Sequence, residues 1–134
     1  MIQWILIFLL LIYLFSYLFW SKKDLYLESF RPKIKMILEK SGFPIFPYRL
    51  KVSDTNTYTL DKRIIYVVTK NKKGQLFNPD TILFVLLHEM AHILSSENHH
   101  TPLFHQIENK LYLTAKKLGL LRDNQVDKSY PCFG

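Results

Sequence analysis

The chain has 134 residues, a formal net charge of +7 and one cysteine. A lone cysteine excludes an internal disulfide framework and fits a reducing compartment. No N-x-S/T glycosylation acceptor is present, which leans away from a lumenal or secreted setting. The cations are spread along the chain and do not cluster with aromatics, so no nucleic-acid partner is expected; they suit solubility and attraction to anionic headgroups.

Ile2 to Trp20 carries no charge and is almost wholly Ile, Leu, Phe, Tyr and Trp. As a helix it would run about 28 Å at roughly 1.5 Å per residue, close to the hydrocarbon thickness of a bilayer. Trp4 and Trp20 stand near its ends, as interfacial aromatics do. The basic start and small-residue cleavage site of a signal peptide are missing. The expectation is a single-pass transmembrane anchor over residues 1–21, with the membrane as a partner. Lys22 and Lys23 follow it, so the positive-inside rule puts residues 22–134 in the cytoplasm or, in a virion, in the interior.

Asp24 to Ser41 reads as a helical region with Ile34, Ile37 and Leu38 on one face, Pro32 at a first turn or kink and Gly42 as a cap. Phe43 to Pro47 is irregular, because its two prolines forbid a ladder or a helix. Strands are expected at Tyr48 to Ser53, Tyr58 to Leu60 and Ile64 to Thr69, with a tight turn at Asp61-Lys62-Arg63 and a basic turn at Asn71 to Gly74. Asn78-Pro79-Asp80 opens a helix that should end near Ser95 or Ser96. Thr101-Pro102 starts another, periodic from Leu103 to Leu118 and stopped by Gly119. Leu120 to Gly134 reads as an extended tail laid on the domain.

Within the first of these two helices, His88-Glu89-Met90-Ala91-His92 forms the pattern H-E-x-x-H. Positions i and i+4 lie one turn apart on the same face, so His88 and His92 can point at one ion. Glu89 can then take a proton from a metal-bound water without being a ligand. Every other residue from Ile82 to Leu94 is apolar, so the helix is expected to be buried nearly all round. Burying two imidazoles and a carboxylate without partners would cost several kcal/mol. A zinc ion is the simplest offset, and a catalytic zinc takes three protein ligands plus an open position. The third ligand is sought in the link between the helices, at His99 or His100. Glu108, on the second helix with His105 one turn before it, is the alternative. Tyr66 and Tyr112 are candidate oxyanion donors that the sequence does not separate.

His88 to His92 followed by His100-Thr101-x-x-Phe104 resembles the minimal zincin peptidases, the group of the WLM and SprT-like proteases. A narrower resemblance is to small zincin-like proteins of nucleocytoplasmic large DNA viruses, with H-E-L-A-H, a short link, G-H-T-x-x-F and a tail ending in Y-C-G. Here His99 stands in place of the glycine, and Tyr130-Pro131-Cys132-Phe133-Gly134 carries two inserted residues. The resemblance covers roughly residues 58 to 134 and implies that His100 is the third ligand and that the source is viral. It also implies an α+β fold: after the anchor, a minimal zincin-like domain over 22–134 of a helix, a small β-sheet, the active-site helix and a second helix. The expected function is a membrane-anchored zinc metallopeptidase acting on a peptide or protein, with His88, His92 and His100 on zinc and Glu89 as general base. A catalytically inactive zinc-binding adaptor is the first alternative, though an intact Glu89 argues against it. A SprT-like protease acting on DNA-crosslinked protein is the second, with no nucleic-acid module to support it. Cys132 reads as a packed thiol, with latency through zinc ligation as its sharper alternative.

Overall fold

The computed structural model describes residues 1–20 and 24–131, with side chains from 24 onward and, in the first helix, as far as Leu18. Lys22, Lys23 and Cys132, on which the orientation and latency readings rest, lie outside the described residues. The fold is mixed α+β. Helix α1 spans Ile2–Trp20, α2 Leu25–Glu28 and α3 Arg31–Ser41. Strands β1 (Arg49–Val52), β2 (Tyr58–Leu60) and β3 (Ile64–Val67) follow, then α4 (Pro79–Ser95), α5 (Pro102–Lys117) and a 3-10 turn at Asp123–Gln125.

The single-pass anchor is corrected. Among the described residues no helix is long and apolar enough to cross a membrane. The assignment of the rest of the chain to the cytoplasm or a virion interior rested on that anchor and falls with it.

The region from Asp24 to Ser41 is two helices instead of one. Asp24 caps α2 by accepting from Leu27 N at 2.9 Å, and Pro32 sits in the first turn of α3, where a missing N–H costs nothing. Ile34, Ile37 and Leu38 are fully buried as their spacing requires. Gly42 closes α3 at φ +78°, a left-handed conformation that glycine adopts without strain.

The sheet order is β1-β3-β2, with β1 parallel and β2 antiparallel to β3. The central strand buries Ile65 and Val67 on one face, and β1 adds Leu50 to it. Strand β2 is an outer strand. Asp61 and Lys62 turn the chain from β2 into β3, both with positive φ (52° and 54°). Arg63 N donates to Leu60 O at 3.1 Å across these two residues, closing a tight turn in left-handed backbone without glycine.

Helix α4 begins as expected: Asn78 accepts from Thr81 N at 2.8 Å, and Pro79 and Asp80 occupy the first turn. Ile82, Leu83, Val85, Leu86, Leu87, Met90 and Ala91 are all buried. The tail is tied to the start of this helix. Buried Asp80 accepts from the backbone N of Arg122 at 2.8 Å and from its guanidinium at 2.9 Å. Thr81 Oγ1 accepts from Asp127 N at 2.7 Å, and Asn78 Nδ2 donates to Gln125 O at 2.7 Å.

This clasp has separable parts. Asp80→Ala takes the acceptor from the Arg122 N–H and removes a buried carboxylate at the positive end of a helix, so urea unfolding should show a loss of about 1–3 kcal/mol. Arg122→Ala keeps the backbone bond and removes only a side chain that is 70 % exposed, so its loss should stay under about 1 kcal/mol.

Candidate metal centre

Helix α4 places His88 and His92 one turn apart, and the link into α5 bends back so that His100 completes a triangle. Ring centroids are 5.1 Å apart for His88–His92, 5.0 Å for His88–His100 and 5.1 Å for His92–His100. The candidate ligand nitrogens all lie within 4.8 Å of one another, close enough to hold a metal ion. Phe104, fully buried on the first turn of α5, forms the floor beneath them. Its ring lies 4.4 Å from His92, 4.8 Å from His100 and 5.1 Å from His88. Thr101 fixes the start of α5 by accepting from Phe104 N at 3.2 Å, so the cap also sets the floor.

Two of the imidazoles are oriented from behind. His88 Nδ1 is 2.6 Å from Glu108 Oε2, and His92 Nδ1 is 3.1 Å from the carbonyl of Glu97. Each acceptor takes the Nδ1–H, which leaves the Nε2 lone pair for an ion. Glu108 is thereby placed: it holds His88 and stands outside the histidine triangle. The hydroxyl of buried Tyr112 lies 3.3 Å from the same Oε2 and 3.3 Å from Phe84 O. His105 Nδ1 is 3.7 Å from Glu108 Oε1. Burial pushes the Glu108 carboxyl up, but the His88 hydrogen bond and charge, with Tyr112 and His105, hold it below its ordinary value. It is therefore ionised at neutral pH and suited to orient an imidazole.

His99 is exposed and outside the triangle. Tyr66 stacks on Tyr58 at 4.7 Å, on the sheet face opposite buried Ile65 and Val67. With Tyr112 engaged behind His88, neither tyrosine singled out from the sequence lines the cavity. That cavity, about 550 Å³, opens in front of the triangle and is lined by His88, Glu89, His92, Asn98, His100 and residues 57–59, 61 and 62.

Glu89 is 4 % exposed, and its Oε2 accepts from Thr59 Oγ1 at 2.6 Å. Thr59 is a site residue that sequence reasoning misses. The only signal for it is the alternation Thr57-x-Thr59, which puts two hydroxyls on one face of β2. That this face meets α4 is a tertiary fact.

No model of a known protein family matches the chain, and no solved structure matches it. It is similar to uncharacterized proteins of large DNA viruses. One from Invertebrate iridescent virus 3 is 38 % identical over 61 residues, covering 45 % of this chain and 38 % of that protein. One from Invertebrate iridescent virus 6 is 36 % identical over 67 residues, covering 48 % and 38 %. One from Acanthamoeba polyphaga mimivirus is 31 % identical over 84 residues, covering 61 % and 39 %. The chain thus spans about two fifths of the length of these curated relatives. The expected likeness to proteins of large DNA viruses is met, while no zincin or peptidase family is among the matches.

Burial, then the neighbouring His88 and His92, hold the His100 imidazole below its ordinary value, against a smaller opposing pull from Glu108. A lowered value means that His100 stays neutral, and able to bind an ion, below the pH at which a free histidine protonates. Bound metal followed with a chromogenic chelator should thus be fully retained at pH 7, with half-release of the His100-dependent part below about 6.5. Removing single side chains sorts the roles. His92→Ala and His100→Ala should abolish metal uptake, His99→Ala should leave it intact, and Glu108→Ala should weaken it by about 10–100-fold.

Proposed function

We propose that the protein is a zinc-dependent metallopeptidase of the minimal zincin kind, with His88, His92 and His100 as zinc ligands and Glu89 as general base. The observation that carries this reading is the ligand set. Three imidazoles leave a fourth position open, and a buried carboxylate borders the cavity in front of it. A structural zinc site closes all four positions with protein ligands, commonly thiolates, and has no use for such a carboxylate.

The chain's own residues divide the work. Phe104 and the two Nδ1 acceptors set the direction of the imidazoles. Bound there, zinc supplies Lewis-acid polarisation of a carbonyl and lowers the pKa of water. Glu89 Oε2 is held by Thr59, which leaves Oε1 to take the proton of the attacking water and return it to the departing amine. Glu89 is nearly buried in the cavity wall, which limits its contact with bulk water. Strand β2 borders the same cavity as an outer strand, so an extended peptide can pair with its open edge while its scissile carbonyl reaches the triangle. The substrate class is accordingly a peptide or unfolded protein segment.

Glu89→Gln keeps the shape and removes the base. It should bind zinc as the parent does and lose cleavage of denatured casein by at least about 100-fold. Undiminished cleavage would move the base to another residue. A zinc-loaded parent that cuts nothing would leave a non-catalytic metal site.

A further inference from the structure

Strand β2 does more than border the cavity. Thr57 and Thr59 project toward the α4 side, and Tyr58 and Leu60 are exposed on the other. Thr59 Oγ1 donates to Glu89 Oε2 at 2.6 Å. Thr57 belongs to a closed ring of three hydrogen bonds. Val68 N donates to Thr57 Oγ1 at 3.0 Å, Tyr130 donates to Val68 O at 2.6 Å, and Thr57 therefore donates its own proton to Tyr130 Oη at 2.6 Å. Tyr130 is 2 % exposed, and its ring packs 4.7 Å from Phe77. An outer strand of three residues has few ladder bonds of its own to hold its place, so an added buried attachment at its start matters.

We propose that Thr59 is the positioning residue for Glu89, and that Tyr130 of the tail hooks the start of β2 so that the Thr59 hydroxyl stays within reach of the carboxylate. The proposal rests on the peptidase reading above for the role of Glu89. Its content is geometric. A glutamate has three rotatable bonds, and a general base works only within hydrogen-bond reach of the proton it takes. The hydroxyl on β2 selects one carboxylate rotamer and occupies one oxygen, leaving the other for the proton. The Tyr130 ring of bonds transmits the position of the tail to that hydroxyl through two residues of strand. The tail, already clasped to the start of α4 by Asp80 and Thr81, thus anchors both elements that meet at the site.

The test uses the 134-residue chain loaded with zinc and denatured casein as substrate. Thr59→Val keeps the β-branched shape and removes the donor; Thr59→Ser restores it; Tyr130→Phe removes one hydroxyl that does not itself line the cavity. Zinc content and melting temperature are measured for each variant, so that loss of fold is separated from loss of position. The expected result is parental zinc content and KM for Thr59→Val, with kcat down by about 10–100-fold. Thr59→Ser should return to within about threefold of the parent, and Tyr130→Phe should show a smaller fall in kcat at unchanged zinc content. Parental kcat in a folded Thr59→Val protein overturns the inference while leaving the peptidase reading in place. So does failure of Thr59→Ser to rescue. If Thr59→Val fails to fold, Tyr130→Phe decides: parental kcat there overturns the proposed hook. A zinc-loaded parent without cleavage, or a Glu89→Gln variant as active as the parent, overturns the peptidase reading and the positioning role with it.

Discussion

Helix α4 carries polar chemistry inside an apolar core, and the rest of the molecule is arranged around that constraint. His88 and Glu89 are adjacent in sequence and both nearly buried, so most of each side chain is cut off from bulk water. Each is met by a side chain from a different element: His88 by Glu108 of α5 and Glu89 by Thr59 of β2. Leaving either polar group without a partner would cost on the order of 1–3 kcal/mol or more, a large fraction of a small domain's stability. The same bonds that make burial tolerable also fix tautomer and rotamer. Stability and pre-organisation are here one set of contacts.

The supporting elements are positioned by ordinary means. Thr101 caps α5, and the cap brings Phe104 under the three imidazoles. An aromatic floor admits no competing hydrogen bond, so the imidazole nitrogens are left to the acceptors behind them and to whatever occupies the centre. On the other side, the Asp61-Lys62 turn adopts positive φ without glycine and brings β2 back along β3. Left-handed non-glycine residues are mildly strained and persist where surrounding structure holds them. Both residues line the cavity.

The first helix shows where reading by composition overreaches. Ile2 to Trp20 satisfies every local criterion for an apolar helix, and a helix forms over that range. Crossing a bilayer is a further condition on length and hydropathy together, and among the described residues no helix meets it. Local propensity decides that a helix exists. It does not decide what such a helix does.

The sequence by itself determined where α4 and α5 begin, where α3 closes, and that His88 and His92 share one helix face. Asn78-Pro79, Thr101-Pro102 and Gly42 act within one or two turns, and the spacing of His88 and His92 is a property of any α-helix. The resemblance around His100-Thr101-x-x-Phe104 singled out the third histidine, and the fold places His100, not His99, in the triangle. Only the tertiary structure decided the rest. It moved Glu108 from possible ligand to the partner of His88, and brought Thr59, thirty residues away in sequence, onto Glu89. It also joined Tyr130 to Thr57 across 73 residues. The physical reason is range. Caps and helical periods are encoded by neighbours along the chain, whereas the partner of a buried polar atom is whichever group packing brings within about 3 Å, and no spacing rule encodes that.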